Sequence, residues 1–162
     1  MKAVIVYYSL TEHTAYVADK IAQALGADTV RLQTQKAYPD KGMKKFLWGG
    51  KSAMMAEKPA LEPYEFDGSQ YDTVLFGTPV WASNIAPPLR TFIAEQGESL
   101  QGKRFGVFVC SAGGSAAKAV EKLRALLPED FAAQLSLIDP KGKPDTDEKI
   151  AAFCAAVRGD AE

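Results

Sequence analysis

Three short segments of this 162-residue chain concentrate the groups that hold small ligands. The first is Ser9-Leu10-Thr11-Glu12-His13-Thr14, which places hydroxyls directly ahead of a stretch with Val17, Ile21 and Leu25 at helical spacing. A helix start offers unpaired N–H groups and the positive end of the helix dipole, and both attract an anion. The segment contains no glycine, so it is not a dinucleotide fingerprint. Its hydroxyls suit a phosphate monoester, and they equally suit helix capping with no ligand. The second segment, Thr78-Pro79-Val80-Trp81-Ala82-Ser83, presents an indole beside a turn-rich run. That is a poor position for a core residue and a good one for stacking on a flat ring. The third, Ser111-Ala112-Gly113-Gly114, lets backbone approach a ligand closely and offers N–H donors, or serves as an ordinary strand-to-helix turn.

The surrounding elements determine whether these segments meet. Lys2 to Tyr8, Asp72 to Gly77 and Phe105 to Cys110 are apolar runs of the kind expected of strands covered on both faces. Asp28 to Thr34 and Gln134 to Ile138 alternate apolar and polar residues, as strands at a sheet edge do. Helical spacing recurs between them: Val17 to Leu25 ending at Gly26, Leu89 to Ile93 after Pro87-Pro88, Ala116 to Leu127 before Pro128, and Ile150 to Val157 with Asp145 and Thr146 as candidate caps. Strand–helix alternation over the whole chain predicts an α/β fold, a doubly wound five-stranded parallel sheet with helices on both faces. Placing the doubly apolar strands centrally gives the order 2-1-3-4-5 with right-handed crossovers. Ligands bind such a sheet outside the carboxyl ends of the strands, where the order reverses. The loops after strands one, three and four are the three segments above.

Residues 35–71 form an insertion longer than a simple crossover needs. Met43 to Met55 within it has helical character weakened by Gly49-Gly50; Trp48, Met54 and Met55 there suit covering a ligand, a dimer contact or core packing, and helical spacing makes core packing the default. No composition shift marks a linker, so residues 1–162 are expected to form a single domain, in line with roughly 100–200 residues per domain.

Composition removes several function classes. The 19 Lys and Arg nearly cancel the 20 Asp and Glu, leaving no basic surplus for nucleic acid. No apolar run approaches the roughly 20 residues of a membrane span, and Ala3 to Tyr8 is too short for a signal-peptide core. Cys110 and Cys154 lie in apolar contexts without a pairing pattern, which points to a reducing, cytoplasmic setting. A single His excludes a His-based metal cluster and weakens every His-dependent triad. Gly50-Lys51-Ser52 mimics the end of a nucleotide P-loop, but Lys45 stands where its first glycine belongs.

Tyr8 to Thr14 resembles the phosphate loop of flavodoxins. Gly77-Thr-Pro-Val-Trp-Ala82, with Ala86-Pro-Pro-Leu-Arg-Thr-Phe92, resembles the flavin-ring loop of that family, and Cys110-Ser-Ala-Gly-Gly-Ser115 resembles its third flavin loop. The resemblance implies a flavodoxin-like domain binding FMN noncovalently. Ser9, Leu10, Thr11, Glu12, His13 and Thr14 would then surround the phosphate. Thr78, Pro79, Val80, Trp81, Ala82 and Ser83 would hold the ring together with Ser111, Ala112, Gly113 and Gly114. No side chain here looks like a required acid or base, so no catalytic residue and no metal ligand is assigned. The partners the resemblance implies are redox proteins, or NAD(P)H and a small acceptor such as a quinone. Two positions depart from the family pattern. Glu12 and Ala82 stand where flavodoxins usually carry glycine, so a carboxylate lies near the expected phosphate and a peptide flip beside the ring is disfavoured.

Overall fold

In a computed structural model, which describes residues 1–39, 42–113 and 116–160, the strand order follows from burial. β1 (Ala3–Tyr7) is buried at every position, and β3 (Thr73–Trp81) and β5 (Arg104–Ser111) are buried through most of their length. These three strands form the centre of the sheet. β2 (Asp28–Arg31) is largely exposed and β6 (Phe131–Ile138) alternates buried with exposed residues. They form the edges, and the order is β2-β1-β3-β5-β6, with every pair along it parallel.

One strand was not expected. β3 runs four residues past Gly77 and turns back through β4 (Asn84–Ile85), which pairs with it antiparallel. Thr78 to Trp81 therefore belong to a strand and not to a loop. Pro79, which lacks an N–H donor, hides this because it reads as a loop residue, yet it sits opposite Cys110 near the end of the β3–β5 ladder.

Alternate residues of the central strands feed two cores. Val4, Val6, Val74 and Phe76 face α3 (Pro87–Gln96) and α4 (Ala116–Arg124), represented by Leu89, Phe92, Val120 and Leu123. Ile5, Leu75 and Phe108 face α1 (His13–Leu25) and α5 (Thr146–Arg158) through Val17, Ile21, Phe153 and Val157. Phe76, Phe92, Phe105 and Phe108 are fully buried, and each contributes about 2–3 kcal/mol by leaving water. Gly77 is required by this packing, since a Cβ there would lie 2.2 Å from the ring of Phe108. α1 ends where Gly26 adopts the left-handed conformation, φ 62°. At the start of α5, Asp145 occupies the cap position without a side-chain cap bond, while the Thr146 hydroxyl donates to the Pro140 carbonyl.

The insertion carries α2 (Gly42–Met54), which passes through Gly49-Gly50 without interruption. Trp48 and Met54 on this helix, and Met55 just past its end, do not enter the core, contrary to the expectation from helical spacing. Trp48 is 56% exposed, Met54 73% and Met55 64%. The helix packs over the end of β3 and against β4 through Gly49, Ser52 and Ala53, and Trp48 and Met54 point outward. Among the described residues no helix is long and apolar enough to cross a membrane.

Candidate functional site

The β1–α1 turn is shaped for an anion. Glu12, at the cap position of α1, has φ 67° and ψ 0°, a left-handed residue followed by right-handed helix. Successive N–H groups in such a pair point into one concavity and form an anion nest in line with the helix dipole. Ser9 Oγ accepts from Ala15 N–H at 3.1 Å and fixes the turn from inside, leaving the preceding amides of the helix start for a ligand.

The Glu12 carboxylate is drawn off by Arg31 on β2. The guanidinium donates to Glu12 Oε1 at 2.5 Å and to Oε2 at 3.3 Å, and also to the Ser9 carbonyl at 3.3 Å. Arg31 thus ties both ends of the turn to the neighbouring strand. Its hydrogen bond holds the Glu12 carboxyl below the ordinary glutamate range, with smaller help from the charges of Arg31 and Lys141 against a modest desolvation cost.

A pocket of about 280 Å³ opens at the carboxyl ends of β1, β3 and β5. Ser9, Leu10, Thr11, His13 and Thr14 line it from the turn, Pro79, Val80 and Trp81 from the end of β3, and Ser111 and Ala112 from the end of β5. The expected residues Glu12, Thr78, Ala82, Ser83 and Gly113 are not among its lining residues. Thr78 is fully buried, and its hydroxyl donates to the Pro79 carbonyl and accepts from Ala86 N–H, pinning the hairpin. Ala82 and Ser83, at φ 49° and 58°, form the two-residue hairpin turn of the type I′ class. Gly113 has φ 121°, and Gly114 lies outside the described residues.

Two lining residues were not assigned from sequence. Asp139 follows β6 with φ 44°, a conformation Asp tolerates better than most residues, and its position just past a strand's carboxyl end is the signal that marks it. Cys110 also lines the pocket. Burial pushes its thiol up to about 12, partly offset by the Thr14 hydroxyl, so it remains an unreactive thiol at neutral pH.

The indole of Trp81 is backed by the insertion. A Cβ on Gly49 would stand 3.2 Å from Trp81 Cε3 and 3.4 Å from both adjoining ring atoms, so α2 lies over a face of the ring and not at its edge. Tyr8 and Tyr38 meet the indole at steep angles, with centroids 5.6 and 5.2 Å away. Tyr38 is held by a 2.8 Å hydrogen bond to Ser52 of α2. Asn84 Nδ2 donates to the Ala53 carbonyl, joining the hairpin to the same helix. The insertion therefore fixes the orientation of the aromatic wall, and Trp81 has at most one face free for a ligand.

Comparison with known proteins agrees with this architecture. The Flavodoxin family model matches residues 2–150. A minor allergen of Alternaria alternata, Alt a 7, is 32% identical over 143 residues, covering 80% of this chain and 67% of the allergen. A flavoprotein of Lactobacillus acidophilus, solved in complex with FMN, superposes with a TM-score of 0.72 at 19% identity, covering 91% of this chain and 97% of that one. Oxidised flavodoxin 1 of Bacillus cereus gives 0.60 at 17% identity over the full length of both chains. The match of the family model along nearly the whole chain, on a sheet of the order described, shows that this chain belongs to the flavodoxin family.

Proposed function

We propose that this protein is a cytoplasmic redox protein that binds FMN noncovalently and passes electrons through it. The observation that carries the reading is the left-handed turn at Glu12, whose flanking residues Thr11 and His13 line a pocket walled by Trp81. An anion site and an aromatic wall in one crevice match the two ends of a flavin mononucleotide. The residues fit the group. The β1–α1 turn would hold the phosphate through its amides and the Thr11 and Thr14 hydroxyls, with the Glu12 carboxylate already neutralised by Arg31. Trp81, Val80, Ser111 and Ala112 would flank the ring. At about 280 Å³ the pocket leaves part of a tricyclic ring at the surface, which suits exchange of electrons with an outside partner. The bound flavin supplies the redox chemistry, and the chain supplies binding, orientation and the local field.

Titration with FMN tests this directly. The expected result is quenching of both flavin and Trp81 emission to a one-to-one endpoint; unquenched emission at high FMN would refute the reading. A second reading, an FMN-dependent reductase acting from NAD(P)H on a quinone or another small acceptor, is favoured by the charge balance. With a net charge of -1, the chain lacks the strong field that steers an acidic carrier onto a basic partner. Rapid NAD(P)H oxidation by the FMN-loaded protein would select the reductase. Its absence, together with accumulation of a one-electron-reduced flavin spectrum on photoreduction, would select the carrier.

A further inference from the structure

A second cleft opens on the other side of the aromatic wall. It measures about 530 Å³, within the range of small-molecule sites, and lies between residues 36–39, α2 and the chain around Glu57 and Pro59. Its walls include Tyr38 and Trp48. Trp48, Lys51 and Ser52 are three and four residues apart on α2, so they share one helix face. Lys36 and Lys51 line the cleft together with a single acid, Glu57, a cationic balance among the described lining residues. Tyr38 does not need to move to meet a ligand, because Ser52 and the rings of Tyr8 and Trp81 already hold it. Trp48, by contrast, is held outward with more than half its surface in water.

We propose that this cleft is a second ligand site, taking a planar aromatic anion whose ring lies along Trp48 and Tyr38 and whose carboxylate or sulfonate lies at Lys36 and Lys51. Aromatic walls select a flat ring, and the two lysines select an acidic substituent on it. Tyr38 touches Trp81, so the cleft and the flavin pocket share one aromatic partition. If the reductase reading above is the one that holds, this cleft is where its small acceptor would dock, and the binding claim stands without it.

Anthraquinone-2-sulfonate is a suitable probe. It is titrated into the full-length protein, with and without saturating FMN, and followed by calorimetry and Trp emission. The expected result is saturable one-to-one binding that survives FMN, weakens about tenfold or more in Lys51→Glu and is lost in Trp48→Ala. Both side chains are exposed, so circular dichroism and Tm of the variants should match the parent. Binding that is unchanged in Lys51→Glu, or displaced by FMN, would overturn the proposal. So would a dimer in sedimentation that Trp48→Ala dissociates, since the exposed face of α2 would then be covered by a second copy of the chain. Sulfonate binding with no FMN binding would refute the flavin reading and leave this site standing.

Discussion

Two turns flank the pocket, the β1–α1 turn at its proposed phosphate end and the β3–β4 turn at its proposed ring end, and they hold non-glycine residues in left-handed backbone by different means. Glu12, at φ 67°, keeps its conformation beside an ion pair that is more than half exposed on the carboxylate side. Ala82 and Ser83, at φ 49° and 58°, are clamped by a buried network around Asn84, which is 3% exposed. Asn84 donates to the Ala53 carbonyl and accepts from Ile85 N–H and from Arg90 Nη2. A left-handed non-glycine residue costs about 1–2 kcal/mol, so each turn needs compensation from elsewhere. At the phosphate end that compensation is electrostatic and adjustable with little effect on the fold. At the ring end it is structural, because the same hydrogen bonds hold the hairpin, α2 and α3 together.

The largest expected effect is at the ring end. Asn84→Ala leaves several buried polar groups without partners, and denaturant unfolding should show a loss of about 3 kcal/mol. A loss under about 1 kcal/mol would mean that backbone pairing alone holds the hairpin and would erase the contrast between the turns. The phosphate end should respond the opposite way, in binding more than in stability. Arg31→Ala strands the Glu12 carboxylate beside the nest, so FMN affinity should fall about tenfold while stability changes by less than about 1 kcal/mol. Adding Glu12→Gly should restore that affinity, and a double-mutant cycle with no coupling would show that Arg31 acts elsewhere.

Smaller effects sharpen the same comparison. Ala82→Gly removes left-handed strain and should stabilise the protein by about 0.5–1 kcal/mol in thermal unfolding, provided the turn geometry is retained. For Glu12 the folded carboxyl titrates below its unfolded counterpart, so between the two values the unfolded chain binds more protons and stability rises with pH. The contribution is complete above the ordinary glutamate range and disappears as pH falls through the depressed value. Exposure limits it to less than about 1 kcal/mol, and Glu12→Gln should remove it from the acid limb of a stability–pH curve.

Sheet order was legible because strands buried on both faces and strands that alternate differ in residue pattern, as Val4 to Tyr7 and Phe131 to Ile138 do. The three pocket segments were legible for the same topological reason. What escaped sequence reasoning depends on partners far along the chain. Glu12 is turned aside by Arg31, nineteen residues later. Thr78 spends its hydroxyl on the Ala86 amide rather than on a ligand position. Trp48 sits at helical spacing that indicates an amphipathic helix, but spacing does not reveal that the packed side of α2 is its small residues Gly49, Ser52 and Ala53. β4 is two residues long, too short for any period to register.

The central claim is that the β1–α1 turn anchors the phosphate of FMN, and parallel titrations with FMN and riboflavin test it most directly. Both ligands present the same ring to Trp81, and they differ in the phosphate that the nest would receive. The account predicts that FMN binds at least about 100-fold more tightly, and that Arg31→Ala narrows the gap by weakening FMN alone. Equal affinities for the two flavins would contradict it.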